Sequence, residues 1–165
     1  MIAHTLALIS NHPSADLFVT GHSLGGALAT FAALDLKEKI TNFPNEFYFY
    51  TMGSPRCGDK IFSDYIMTLF PDGQYSRLTH YNDVVPHLPL DFMGFYHGGN
   101  EVWYNHDGYE MGYVECEAAV GNEESLNCSN SFGYEYGQDA HDIYVGIFID
   151  RLCTAGQEQN QLFLY

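Results

Sequence analysis

The pentapeptide Gly21-His22-Ser23-Leu24-Gly25 constrains this chain more than any other stretch, because of what stands on either side of it. Leu17-Phe18-Val19 precedes it and reads as a buried strand. Ala27 to Leu36 follows and reads as a helix, with Leu28, Phe31, Ala32, Leu34 and Leu36 available for burial. A G-x-S-x-G pattern arises by chance about once in twenty chains of this size, so its weight comes from the setting. Strand, sharp turn and helix is the setting that lifts a serine to the carboxyl end of a strand as an exposed nucleophile. Flanking glycines remove the Cβ atoms that would hold strand and helix apart, and the serine takes a strained backbone conformation. The helix start beneath it offers unpaired N–H groups and a positive dipole end to a developing oxyanion.

The rest of the chain repeats the rhythm. Ile2, Leu6, Leu8 and Ile9 suit one helix face, stopped near Asn11-His12-Pro13. The strand at Asp16–Thr20 leads into the elbow, and the elbow helix is expected to run to about Ile40. Glu46–Met52 reads as an aromatic-rich strand broken by Gly53-Ser54-Pro55. Asp59 is placed to cap a helix over Ile61, Phe62, Tyr65, Ile66 and Leu69, and Tyr75–Tyr81 is a third strand. Strands alternating with helices predict an α/β domain on a parallel sheet. Beyond Pro86 the pattern loosens: Glu101–Asn105 and Tyr113–Cys116 read as short strands of a hairpin, and a last helix is expected over about His141 to Leu152. No linker or repeat interrupts residues 1–165, which are expected to form a single domain.

Charge narrows the partners. With 21 acidic and 6 basic residues the net charge is −15, which disfavours nucleic acid and anionic membranes. No apolar run reaches the eighteen residues of a membrane span. Met1-Ile2-Ala3-His4 lacks the basic start of a signal peptide and the helical pattern begins at once, so the chain is expected to begin inside a longer protein or to come from a truncated reading frame. Cys57, Cys116, Cys128 and Cys153 contain no C-x-x-C pair and allow three full pairings. Cys116 and Cys128 bracket a short polar loop suited to a disulfide, and Asn127-Cys128-Ser129 is a glycosylation sequon. Both lean toward an oxidising, secretory compartment. No H-x-x-x-H or H-E-x-x-H spacing suggests a metal, and no cofactor is expected.

A serine needs a base and an orienting acid to become a nucleophile. Asp83 follows the third strand, at the same sheet edge as Ser23, and is the best acid. Three histidines after it lie near element boundaries: His97 in a glycine-rich loop, His106 in a polar loop, and His141, with Tyr144 three residues on to brace it. Spacing leaves all three open and ranks His141 first. His22, beside the serine, is read as packing support, and His87 as a pocket-lining residue.

These residues carry a family resemblance. Gly21-His22-Ser23-Leu24-Gly25-Gly26-Ala27-Leu28-Ala29, Tyr50-Thr51-Met52-Gly53-Ser54-Pro55-Arg56-Cys57-Gly58-Asp59 and Asn82-Asp83-Val84-Val85-Pro86-His87-Leu88-Pro89 resemble the class 3, fungal-type lipases. So do Gly94-Phe95-Tyr96-His97, Glu101-Val102-Trp103-Tyr104 and Cys128-Ser129-Asn130-Ser131. The blocks run in order over nearly the whole chain and are similar to the C-terminal half to two-thirds of such an enzyme. The resemblance implies an α/β-hydrolase fold, a mostly parallel sheet with flanking helices whose N-terminal part is missing here. It implies hydrolysis of carboxylic esters, typically triacylglycerols at a lipid–water interface, with a feruloyl esterase or a phospholipase as alternatives on the same scaffold. A non-catalytic remnant is the reading from another class.

Carried over by position, Ser23 is the nucleophile, Asp83 the orienting acid, His141 the base and the Leu24 N–H one oxyanion donor. The family's Asp-His-x-x-Tyr block stands here as Asp139-Ala140-His141-Asp142-Ile143-Tyr144, with the His-to-Tyr spacing kept and the Asp shifted by one. The resemblance also implies a closed Cys116–Cys128 loop, a Cys153 that pairs with the N-terminal region, and a buried Cys57 thiol in place of an apolar residue. The second oxyanion donor and the amphipathic lid of the family would both lie before position 1.

Overall fold

A computed structural model describes residues 2–149 apart from 72 and 134. Helix α1 (Ile2–Asn11) stops just before His12-Pro13. Strand β1 (Leu17–His22) runs into Ser23, and α2 (Leu24–Lys39) starts at the next residue. Strand β2 (Phe47–Met52), helix α3 (Lys60–Leu69) and strand β3 (Tyr75–His80) complete two strand–helix–strand units. Strand β4 (Asn100–Tyr104) pairs parallel to β3, and β5 (Val114–Cys116) closes the edge antiparallel to β4. The sheet order is β1-β2-β3-β4-β5 with the first four strands parallel, as the alternating pattern predicts.

The helices pack on one sheet face. Phe47, Phe49 and Thr51 alternate inward along β2, and the two phenylalanines meet Ala29, Ala33 and Leu36 of α2, Ile66 of α3, Phe70 and Tyr75. Phe49 is fully buried, its ring 4.5 Å from Tyr75 and 5.7 Å from Phe70. Burying one such side chain contributes about 1.5–3 kcal/mol. Asp59 caps α3 as expected, its carboxylate accepting the Phe62 N–H at 2.8 Å.

Three expectations change. Leu28 and Phe31 are exposed, because the small residues Gly26, Ala29 and Ala33 form the face of α2 that approaches the sheet. Helix α1 has no fully buried side chain, and Ile2 packs against the core while only half-buried. The last helix does not form over residues 141–148. Asp139–Asp142 is a single 3-10 turn, and β6 (Ile143–Tyr144) pairs antiparallel with β7 (Ile147–Phe148). Val145 (φ 47°) and Gly146 (φ 76°) make the two-residue turn between them, the left-handed geometry that tight hairpins require. The end of that expected helix and the pairing of Cys153 lie outside the described residues.

Candidate active site

Ser23 sits where β1 turns into α2, with φ 57° and ψ −131°, a region costly for a residue with a Cβ. Its N–H bonds to Met52 O at 3.0 Å, continuing the sheet ladder, while its own carbonyl accepts the Gly26 N–H at 2.9 Å. Sheet and helix thus hold the strained residue from both sides. Gly21 is essential to this turn: a Cβ there would lie 2.1 Å from Gly25 O. A Cβ on Gly26 would lie 2.7 Å from Ser54 Cβ, whereas one on Gly25 would meet nothing within 4 Å. The close approach therefore rests on Gly21 and Gly26 more than on the last glycine of the motif.

A serine at a helix start ordinarily caps the helix with its side chain. Ser23 makes no such cap. Its hydroxyl faces His141 Nε2 at 2.8 Å instead. His141 Nδ1 faces Asp83 Oδ2 at 2.9 Å. A carboxylate only accepts, so the proton belongs on Nδ1 and leaves Nε2 as the acceptor for the serine hydroxyl. Asp83 is 2 % exposed and His141 8 %, so the chain of bonds is shielded while Ser23 remains half-open.

Each partner is fixed by its surroundings. Asp83 follows β3, and its Oδ1 accepts the Val85 N–H at 2.8 Å. Its Oδ2 also accepts the Tyr144 hydroxyl at 2.6 Å. Burial and the Asp83 charge hold the Tyr144 phenol well above its ordinary range, so it stays a donor. The loop carrying His141 is tied to the acid's loop through Val84 N–H to Gly137 O (3.0 Å) and Gly137 N–H to Asn82 O (2.8 Å). His80 Nδ1 lies 3.0 Å from Ala140 O and its Nε2 lies 3.1 Å from Asp107 O. Tyr144 was expected to brace His141, but its hydroxyl holds Asp83 instead.

The other histidines are occupied elsewhere. His22 is more than packing: its ring lies 4.6 Å from the His141 ring and its Nε2 donates to His141 O at 2.8 Å. Burial lowers the His22 imidazole from its ordinary value, which favours the neutral ring that this single donation needs. His97 is tied to Pro86 O at 2.8 Å, and His106 is exposed. His87 pairs with Asn130 Oδ1 at 3.0 Å and stacks on Tyr136. Leu24 opens α2, so its N–H belongs to the first turn, whose donors have no partner within the helix.

Cys116 and Cys128 are disulfide-bonded, with Cα atoms 6.2 Å apart. Cys57 is only half-buried, its thiol donating to Pro55 O at 3.3 Å. Among the described residues no group of three or more His, Cys, Asp or Glu side chains is placed to hold a metal ion. None of their helices is long and apolar enough to cross a membrane.

Residues 1–93 match the family described as lipase (class 3). A lipase of Rhizomucor miehei is 37% identical over 156 residues, covering 93% of this chain and 41% of that protein. A secreted mono- and diacylglycerol lipase A of Penicillium cyclopium is 42% identical over 96 residues, 58% of this chain and 30% of that protein. A solved structure of a triacylglycerol lipase, described as having a serine protease triad at its catalytic centre, superposes with a TM-score of 0.77. It is 35% identical and covers 90% of this chain and 54% of that one. The chain spans less than half the length of the curated relatives it matches.

Proposed function

Because the chain belongs to the class 3 lipase family and has the α/β-hydrolase fold, we propose that it is the triad-bearing part of a carboxylic ester hydrolase acting on acylglycerols. The observation that carries this reading is the continuous line from Ser23 Oγ through His141 to Asp83, at 2.8 Å and 2.9 Å.

His141 Nε2 takes the Ser23 proton as the hydroxyl oxygen attacks the ester carbonyl. Asp83 holds the imidazolium that results. The Leu24 N–H, at the positive end of α2, stabilises the oxyanion of the tetrahedral intermediate. His141 then gives the proton to the departing alcohol. Water, activated by the same base, releases the acid from the acyl-serine. All three roles use side chains already in hydrogen-bond contact, so the ground state is organised for the proton transfer.

Acylglycerols are favoured as substrates by the names of the relatives, which are lipases and a mono- and diacylglycerol lipase. A secretory location is supported by the Cys116–Cys128 disulfide, by the exposed Asn127 of the sequon, and by a relative described as secreted. The test is turnover of a short-chain chromogenic ester, triolein, a phospholipid and a feruloyl ester by protein expressed from the complete reading frame. Preference for the acylglycerol, lost in Ser23→Ala, supports the proposal. Undiminished turnover in Ser23→Ala refutes it.

A further inference from the structure

The four carbonyls that follow the acid's loop, those of Pro86, His87, Leu88 and Pro89, are all held by one buried cluster. Arg56 Nη1 donates to His87 O at 2.7 Å and to Pro89 O at 2.9 Å. The Arg56 backbone N–H donates to Leu88 O at 2.8 Å. His97 Nε2 donates to Pro86 O at 2.8 Å. The remaining edge of the guanidinium meets Glu124 in a two-pronged pair, Nε to Oε1 at 2.7 Å and Nη2 to Oε2 at 2.9 Å. Glu124 also accepts the His97 backbone N–H at 2.8 Å, so both ends of the clamp are anchored on one carboxylate. Arg56 is 5 % exposed and the Glu124 side chain 9 %. A planar guanidinium that spans a carboxylate and two carbonyls is a geometric constraint that a lysine cannot copy.

The clamp reaches the acid through one turn. Val85, whose N–H holds Asp83 Oδ1, begins the 3-10 turn Val85–His87, and the cluster fixes the Pro86 and His87 carbonyls of that turn. Glu124 in turn lies on the loop closed by Cys116–Cys128.

We propose that Arg56 and Glu124 are positioning residues of the triad, a clamp between the disulfide loop and the acid's loop that aims the Asp83 carboxylate at His141. This rests on the ester-hydrolase reading. Neither residue touches the reacting atoms. They act by fixing the backbone from which Val85 restrains Asp83, leaving Oδ2 free for His141 and Tyr144.

The test compares Arg56→Lys, alone and on an Asp83→Asn background, with the parent. Arg56→Lys is expected to lower kcat by about tenfold to a hundredfold, the scale of a small misplacement of a catalytic group, with KM within about twofold. The acid limb of the kcat/KM profile moves to lower pH, because a misaimed carboxylate supports the protonated base less. On the Asp83→Asn background the same change has no further effect on kcat. Glu124→Gln, which keeps the shape, supplies the same comparison if the Arg56→Lys chain does not fold. The downfield proton resonance of the His141–Asp83 hydrogen bond, measured at equal folded fraction, reads the clamp without turnover. If that resonance shifts or is lost while the parent shows no esterase activity, the clamp stands and the hydrolase reading fails. A folded variant with unchanged kcat, acid limb and resonance overturns the clamp, as does a full effect that persists without the Asp83 carboxylate.

Discussion

The Tyr144 hydroxyl and the His141 imidazole converge on a single oxygen, Asp83 Oδ2, at 2.6 Å and 2.9 Å. Asp83 therefore divides its bonds: Oδ1 accepts the Val85 N–H, and Oδ2 faces His141 while accepting from a second donor. Tyr144 is buried at 1 % exposure, so its hydroxyl has been taken out of water for this bond.

Replacing Tyr144 by Phe removes that donor and keeps the ring. A hydrogen bond to a charged acceptor is worth about 1.5–3 kcal/mol. Tyr144→Phe is expected to lower the unfolding free energy by roughly that amount, read by denaturant titration, and to lower kcat by about tenfold. Unchanged stability and turnover would show that the phenol merely fills space.

Protonation sets an acid limit on stability. Burial, with the Arg56 charge nearby, pushes His87 down to about 4, and burial with the Arg77 charge pushes His97 well below its ordinary value. The unfolded chain takes up protons on both below about pH 6.5 while the folded chain resists. Stability therefore falls as pH drops from about 6.5 toward 4, with His87 alone contributing on the order of 3 kcal/mol. Burial is the largest single influence and would raise Glu124, but the hydrogen bond from Arg56 and the positive charges around it, Arg77 and Arg56 among them, together outweigh burial and hold the carboxyl well below the usual range. Its contribution is present above about pH 4.5 and is lost below that. Thermal midpoints should decline steadily from pH 7 to pH 4. A flat profile would contradict the burial of these groups.

What the sequence disclosed was mostly local. The elbow could be read because one strand, one turn and one helix specify it within twenty-odd residues, and Asp59 declared the start of α3 through its own capping bond. The hairpin at Ile143–Phe148 was misread because Ile143, Ile147 and Phe148 also satisfy a helical spacing. Gly146 beside Val145 was the turn signal that outranked it. The Arg56–Glu124 clamp was invisible because its partners are 68 positions apart, and the block that contains Arg56 carries no sign of the carboxylate it pairs with. Exposure of Leu28 could not be foreseen either, since the sheet chose the glycine and alanine face of α2, which permits a closer approach than a leucine face.

The disulfide gives a further measurable effect. Cys116 and Cys128 are 12 positions apart, and closing a loop of that size stabilises by about 3 kcal/mol on chain-entropy grounds. Cys116→Ser with Cys128→Ser should lower the thermal midpoint by several degrees, and more than a surface double substitution does. Because the loop carries Glu124, kcat should fall with it. An unchanged midpoint would show that the packing of Cys128 against its surroundings suffices alone.

Nucleophilicity at Ser23 is the claim beneath all of these. The direct measurement is covalent labelling with a fluorophosphonate, followed by mass spectrometry of the peptide that contains Gly21–Gly25. A triad assembled as described predicts one adduct per chain, on Ser23, with its rate of formation cut by several hundredfold or more in His141→Ala. A chain that stays unlabelled when folded, or one that carries the adduct on another residue, would contradict it.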